Sequence, residues 1–299
     1  MPVLMLFLDG VGLGDPDAAH NPWVAGRTPT LRRLLGQPLA GHHRVEYDGA
    51  LLIPTDATLG VAGLPQSATG QTALLTGRNA PAIVGRHVTA YPTADLRALL
   101  AADSLFARLG RAGRATALAN AYSAEYHEAV AARRLRHGAI TTAAQSAGVR
   151  LRTVEDLRRG EAVFHDLTNA RLRGWGYDVP LVTPEQAGGN LARLAAQHDF
   201  TLFEFFLTDL SAHQRIPIEA VTIVEMVDAL LDGVTAHLPE QVTLLVTSDH
   251  GNTEDDRSRG HTRNPVPTLV TGPGRADFAG VATLTDVAPA VLRTLSVEA

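Results

Sequence analysis

Four short, almost purely apolar runs do most to fix what this chain can fold into: Val3–Leu8, Phe200–Leu207, Val242–Thr247 and Thr268–Thr271. Each has strand length and lacks a polar residue at every second position, the pattern of a strand covered on both faces. Each gives way at once to polar residues or glycine, with Asp9, Asp209, Asp249 and Gly272 at or just past the ends. Between them lie longer segments of helical pattern. One spans Ser67–Leu75, one starts at Ser104 and breaks at Gly113 before a strand in ATALANA, and one covers Pro217–Leu238 with proline in its first turn. This alternation predicts an α/β fold, a mostly parallel central sheet flanked by helices. Ligands of such sheets bind beyond the carboxyl ends of the strands, and packing alone does not require an aspartate at three of those ends.

The rhythm breaks between Tyr122 and Pro180, where a basic stretch, AARRLRHG, precedes Trp175, Gly176 and Tyr177. The expected organisation is a core of residues 1–121 and 181–299 with a small inserted cap, 122–180.

Composition removes whole classes of chemistry. All 26 fixed positive charges are arginine, so there is no Schiff-base lysine and no Walker-type phosphate loop. With no cysteine, disulfides, thiolate nucleophiles and Cys-ligated zinc are excluded. A net charge of −5 with scattered arginines gives no nucleic-acid surface. No stretch approaches the ~20 apolar residues of a membrane span, and the N-terminal run is too short for a secretory signal. The default expectation is a cytoplasmic protein with no membrane or nucleic-acid partner; oligomeric state is not encoded legibly.

The chemistry-bearing residues fall at the strand ends. In TDLSAHQ, Asp209 and His213 are four apart, the spacing that puts two side chains on one helical face. Asp249 and His250 follow a strand in SDHGN, and His261 precedes one in GHTRNPVP. With Asp9 these make three carboxylates and three imidazoles, a donor set suited to two divalent ions, Zn or Mn first and Mg second. In LPQSATGQTALLTG, Ser67 opens a helix whose free N–H groups favour negative charge. A serine there, bound to a divalent cation, can attack phosphorus; the plainer alternative is a helix N-cap.

In this order the motifs resemble the alkaline phosphatase superfamily, and within it the branch of cofactor-independent phosphoglycerate mutases and phosphopentomutases. The shared features are Asp9-Gly10 after the first strand, Ser67 three residues before Gly70, the Asp209/His213 pair, Asp249-His250 and the element starting at His261. The resemblance covers roughly residues 1–120 and 180–299. It implies one ion on Asp209, His213 and His261 and another on Asp9, Ser67, Asp249 and His250. It also implies in-line transfer of a phosphoryl group from a small phosphorylated metabolite through a phosphoserine. Two departures favour a phosphomonoester hydrolase over a mutase: Gln71 stands where the mutases have histidine, and there is no lysine for the phosphoryl group. A short insert also excludes water poorly, which suits hydrolysis.

Substrate contacts are then sought in Arg86, His87, Arg215 and Gln71, with Arg263, Asn252 and Asn264 secondary and Asp56 either supporting the site or shaping a turn. Three rival readings are a phosphodiesterase of the same superfamily, a metal-binding pseudoenzyme, and a nucleotide-binding protein suggested by DGVGLGD. The last has G-x-G-x-G spacing, not G-x-G-x-x-G. A sulfatase is disfavoured because Ser67 lacks the C/S-x-P-x-R context.

Overall fold

A computed structural model describes residues 1–258 and 260–298. Its strands are β1 (Val3–Leu8), β2 (Val45–Tyr47), β3 (Ala50–Thr55), β4 (Thr116–Leu118), β5 (Ala121–Tyr122), β6 (Arg152–Thr153), β7 (Phe200–Phe205), β8 (Thr243–Thr247) and β9 (Val266–Thr271). Seven of these form one sheet in the order β2-β3-β9-β8-β1-β7-β4, and β5 pairs with β6 apart from it. β4, β7, β1 and β8 run parallel, whereas β9 is antiparallel to both β8 and β3, and β2 to β3. The expected α/β architecture is present, with a mixed edge.

β1 shows why its sequence reads as continuous apolar residue. Val3, Met5 and Phe7 enter the core on one face of the sheet, and Leu4, Leu6 and Leu8 enter the core on the other. The first core is roofed by helices Ser67–Thr76, Ala94–Asp103, Leu105–Arg111, Ala139–Ser146 and Val287–Thr294, and the second by Pro184–Ala195 and Ala220–His237.

Three details differ from expectation. Pro217 lies in a loop ahead of the long helix, which begins at Ala220 because Glu219 is still extended (φ −66°, ψ 146°). Since β9 is antiparallel, Gly272 sits at the far edge, against the Val242 carbonyl at the start of β8, and it is the start of β9 that faces the same way as the ends of β1, β7 and β8. The segment 122–180 is divided: Ala139, Ile140, Ala143, Ala144 and Leu151 belong to the main core, while Val154, Leu157, Ala162, Phe164, Leu172 and Val179 form a small core of their own with Ala121.

Candidate metal centre

Parallel pairing in register brings three strand ends level: Leu8 lies opposite Phe205, and Phe7 opposite Thr247. Asp9 follows β1, its N–H donating to the Phe205 carbonyl at 2.9 Å. Ser248 steadies the next end, accepting from Val11 N–H at 2.9 Å and donating to the His250 carbonyl at 3.1 Å, so Asp249 and His250 are fully buried. Beyond β7 the chain turns into the short helix Leu207–Ala212. The spacing of Asp209 and His213 then does what it predicts, placing His213 Nε2 3.4 Å from Asp209 Oδ1.

The imidazoles converge. His261 donates from Nδ1 to the Pro65 carbonyl at 2.8 Å, which turns Nε2 inward to 3.2 Å from His213 Nε2 and 3.6 Å from Asp209 Oδ1. The His250 ring stacks on His261 with centroids 3.6 Å apart, and its Nδ1 faces the Gly251 carbonyl at 3.3 Å. His250 Nε2 thus points at Ser67 Oγ (3.0 Å), Asp9 Oδ1 (3.3 Å) and Asp249 Oδ2 (3.7 Å). A backbone carbonyl on one ring nitrogen fixes which nitrogen is left to bind, a common arrangement behind histidine ligands. Among the described residues, two groups have donor atoms all within 4.8 Å of one another: Asp209, His250 and His261, and Asp9, Asp249 and His250. His250 lies in both.

Ser67 is the first residue of its helix, behind Gln66 as N-cap, and its hydroxyl reaches His250 instead of capping the helix. Gly70 explains how the helix start comes so close: a Cβ there would stand 2.7 Å from the Asp249 carbonyl oxygen and 2.9 Å from Asp249 Cβ. The helix therefore lies flush against the residues that follow β8.

The donors fit divalent ions on their electrostatics. Among the described residues only imidazoles pair with Asp9, Asp209 and Asp249; no arginine does. Asp9 Oδ1 is buried with no hydrogen-bond partner. Burial, opposed in part by His250, pushes the Asp9 carboxyl up, and burial together with the Asp9 charge pushes Asp249 up further. Burial alone would lower the His250 pKa, but the carboxylates of Asp249 and Asp9 outweigh it and hold the ring at about 10. His261 is driven the other way, by burial and then by the charge on His250. Three carboxyl groups and three imidazoles are gathered here with no arginine of the described residues among them, and oxygen and nitrogen donors at this density suit divalent ions.

The remaining residues separate into two groups. Gln71, expected to touch substrate, is instead buried, and its Nε2 donates to Asp249 Oδ2 at 3.2 Å and Asp9 Oδ2 at 3.4 Å, tying two carboxylates together. Asn252 donates to Asp209 Oδ1 at 2.8 Å, and Asn264 to Glu254 Oε1 at 3.0 Å, so both act on the site's own side chains. Asp56 shapes a turn, accepting from Thr58 and Leu59 N–H groups at 2.9 and 3.1 Å. His87 is half-buried against the Val61 carbonyl at 3.3 Å, and burial lowers its pKa. Arg86, Arg215 and Arg263 are exposed, and no described ion pair or hydrogen bond joins them to the cluster.

Two acidic residues escape sequence reasoning. Glu204, the single carboxylate in the apolar FTLFEFF run, has its carboxyl raised to about 8 by burial and by the charges of Asp9 and Asp249. Glu254, five residues beyond Asp249, is 1% exposed. A lone acid in a core strand is a legible signal for the first; the second has none beyond its place after DHGN. No helix opens directly behind DGVGLGD, so the nucleotide-binding pattern lacks its structural context.

With this geometry in view, comparison with known proteins decides the family: the model of the Metalloenzyme superfamily matches residues 1–299. The chain belongs to that superfamily. It is similar to the 2,3-bisphosphoglycerate-independent phosphoglycerate mutase of Syntrophotalea carbinolica, with 31% identity over 135 residues, 41% of this chain and 26% of that protein. The chain thus spans about a quarter of the length of the curated relatives it matches. Among solved structures it is similar to the alkaline phosphatase of the Antarctic bacterium TAB5, at 15% identity and a TM-score of 0.55, covering 99% of this chain and 98% of that one. It is also similar to the lipoteichoic acid synthase LtaP of Listeria monocytogenes, at 10% identity and a TM-score of 0.52, covering 99% and 72%. These structural likenesses establish the fold, an alkaline phosphatase-like α/β core. Membership of the Metalloenzyme superfamily makes the chain an enzyme and implies divalent metal ions. Among the described residues no helix is long and apolar enough to cross a membrane.

Proposed function

We propose that this chain is a two-metal phosphoryl-transfer enzyme that works through Ser67, and that its reaction is hydrolysis of a small phosphomonoester. The observation that carries the reading is the position of Ser67 Oγ at the start of a helix, 3.0 Å from His250 Nε2, the ring nitrogen that also faces the carboxylates of Asp9 and Asp249. Asp209, His213 and His261 would hold one ion and Asp9, Ser67, Asp249 and His250 the other, with Mn or Zn preferred and Mg the alternative. When bound, the two cations supply Lewis-acid stabilisation of the charge on the transferring phosphoryl group and lower the pKa of the serine hydroxyl.

The chain's own part follows from placement. Ser67 Oγ forms the new bond to phosphorus as the bond to the leaving alcohol oxygen breaks, giving a phosphoserine. Attack by water on that phosphorus then returns the serine and releases phosphate. The open first turn of the Ser67–Thr76 helix favours the negative charge of the group in transit. Arg86, His87 and Arg215 remain proposed contacts for the rest of the substrate. Arginine would grip it with a planar fork rather than a point charge. The segment 122–180, part of which has a small core of its own, remains proposed as the inserted cap, and the protein as cytoplasmic.

The second reading is a phosphomutase, favoured by the identity with the S. carbinolica enzyme. Against it stand the absence of lysine and the use of Gln71 to tie carboxylates where that branch has histidine. Rates on p-nitrophenyl phosphate and its bis ester, with Mn, Zn and Mg in parallel, test the class. The monoester is expected to be much the faster; a faster diester overturns monoesterase chemistry. Interconversion of phosphoglycerates outpacing phosphate release would establish the mutase instead.

A further inference from the structure

One buried carboxylate has no place in that chemistry. Glu254 is 1% exposed, and among the described residues it pairs with no arginine. It accepts four hydrogen bonds instead. Oε2 takes the backbone N–H groups of Gly12 at 2.9 Å and Asn252 at 2.7 Å; Oε1 takes Asn264 Nδ2 at 3.0 Å and the Thr262 hydroxyl. The four donors lie on two loops. Gly12 is on the loop after β1 that carries Asp9, whereas Asn252, Thr262 and Asn264 are on the single connection from β8 to β9, Asn252 at the end that carries Asp249 and His250 and the other two at the end that carries His261. Asn252 passes the link onward, since its side chain donates to Asp209 Oδ1 at 2.8 Å.

The glycines around this carboxylate are shaped to it. A Cβ at Gly12 or Gly251 would overlap the Glu254 carboxylate, and one at Gly14 would stand 2.6 Å from its carbonyl oxygen. The glycine run that suggested a nucleotide loop is therefore the space into which Glu254 fits. A carboxylate has about four lone-pair sites, and here every one has a donor.

We infer that Glu254 is a positioning residue for both metal sites, holding the loop after β1 and the two ends of the β8–β9 connection, which together carry Asp9, Asp249, His250 and His261, in register while touching neither ion. The inference rests on the two-metal reading above. Its consequences differ by substitution. Glu254→Ala leaves the buried N–H groups of Gly12 and Asn252 without an acceptor and frees both loops. Glu254→Gln is milder: its amide oxygen can face those two N–H groups, while its NH2 faces Thr262 and Asn264, whose hydroxyl and amide can both reverse roles. Gly12→Ala displaces the carboxylate without altering it.

The test is calorimetric titration of the full, chelator-stripped chain with Mn2+, together with thermal unfolding of each variant without metal. Wild type is expected to take up two ions. Glu254→Ala and Gly12→Ala are expected to weaken both by about 10- to 100-fold, the usual effect of removing a group that orients metal ligands. Glu254→Gln should fall between these and wild type, and it carries the test if the alanine variant does not fold. Wild-type affinity at both sites in Glu254→Gln and Gly12→Ala, or a lower metal-free melting temperature with affinities intact, overturns the assignment and makes the residue a structural one. Failure of the wild-type protein to bind Mn2+, Zn2+ or Mg2+ overturns the two-metal reading itself.

Discussion

Gly70→Ala isolates the packing that places the nucleophile. Gly70 is in the first turn of the Ser67–Thr76 helix, where a Cβ would stand 2.7 Å from the Asp249 carbonyl oxygen and 2.9 Å from Asp249 Cβ, while ordinary contact begins at 3.4 Å. Both partners are buried, and the nearer one is backbone, so neither can swing away. The helix start must retreat by about 0.7 Å, carrying Ser67 away from His250. On helix propensity alone alanine would stabilise by about 1 kcal/mol. Overpacking of a full core costs about 1–3 kcal/mol, so a net destabilisation of about 1 kcal/mol is expected. Activity should suffer more, because an error near 1 Å in a reacting group costs about 100-fold. The expected result is a fall in kcat of about 30- to 100-fold on p-nitrophenyl phosphate with Mn2+. Urea unfolding of the metal-free protein separates the two effects. A variant that keeps wild-type kcat, or is more stable than wild type, would show that the contact of Gly70 with Asp249 does not set the serine's position.

Other perturbations test other parts of the account. Ser67→Ala is expected to retain most metal, by elemental analysis of the purified protein, and to lose phosphoryl transfer; His261→Ala is expected to lose one ion. Chelation should lower the melting temperature, since each ion held at 100 times its Kd adds about 2.7 kcal/mol; an unchanged transition would argue against bound metal. His165 is held between the rings of Phe164 and Phe206, and burial lowers its pKa to about 4. The unfolded ring titrates near 6.5, so between these values the unfolded chain binds a proton that the folded chain does not. Stability should therefore fall as pH drops, by about 2 kcal/mol from pH 7 to pH 5. His165→Phe should flatten this dependence in urea titrations at the two pH values, and an equal slope in both proteins would refute the cause. Asp156 accepts from Arg150 at 2.6 Å and from Thr153 N–H at 2.7 Å, and the Arg150 contact depresses its pKa. Its contribution is present above the ordinary carboxylate range and lost on acidification through the folded value. Asp156→Asn should cost about 2 kcal/mol at neutral pH, read as a lower melting temperature.

The sequence made legible what depends on local pattern. β1, β7 and β8 announce themselves because strands covered on both faces must be apolar throughout, and their ends carry ligands in the loops that follow. The pair Asp209 and His213 could be placed on one face from spacing alone. What depends on partners distant in sequence was hidden. β2, at the exposed edge, has no such apolar signature, and the direction of β9 is set by its neighbours. The helix Ala139–Ser146 looked like part of an insert because its small residues, Ala139, Ala143 and Ala144, announce no core position, yet they pack into the main one. Gln71 could be read as a substrate contact from its motif; only the fold shows two carboxylates within reach of its amide. Glu254 is the extreme case, since its role lies entirely in donors drawn from loops up to 242 residues away.

The most direct test of the central claim is covalent capture at Ser67. Metal-loaded protein would be mixed with p-nitrophenyl phosphate, quenched in acid and digested, and its peptides analysed by mass spectrometry. The account predicts one added phosphoryl group on the peptide carrying Ser67, its appearance dependent on metal, and none in Ser67→Ala. Turnover with no phosphorylated serine under any quench time, or undiminished turnover in Ser67→Ala, would contradict it.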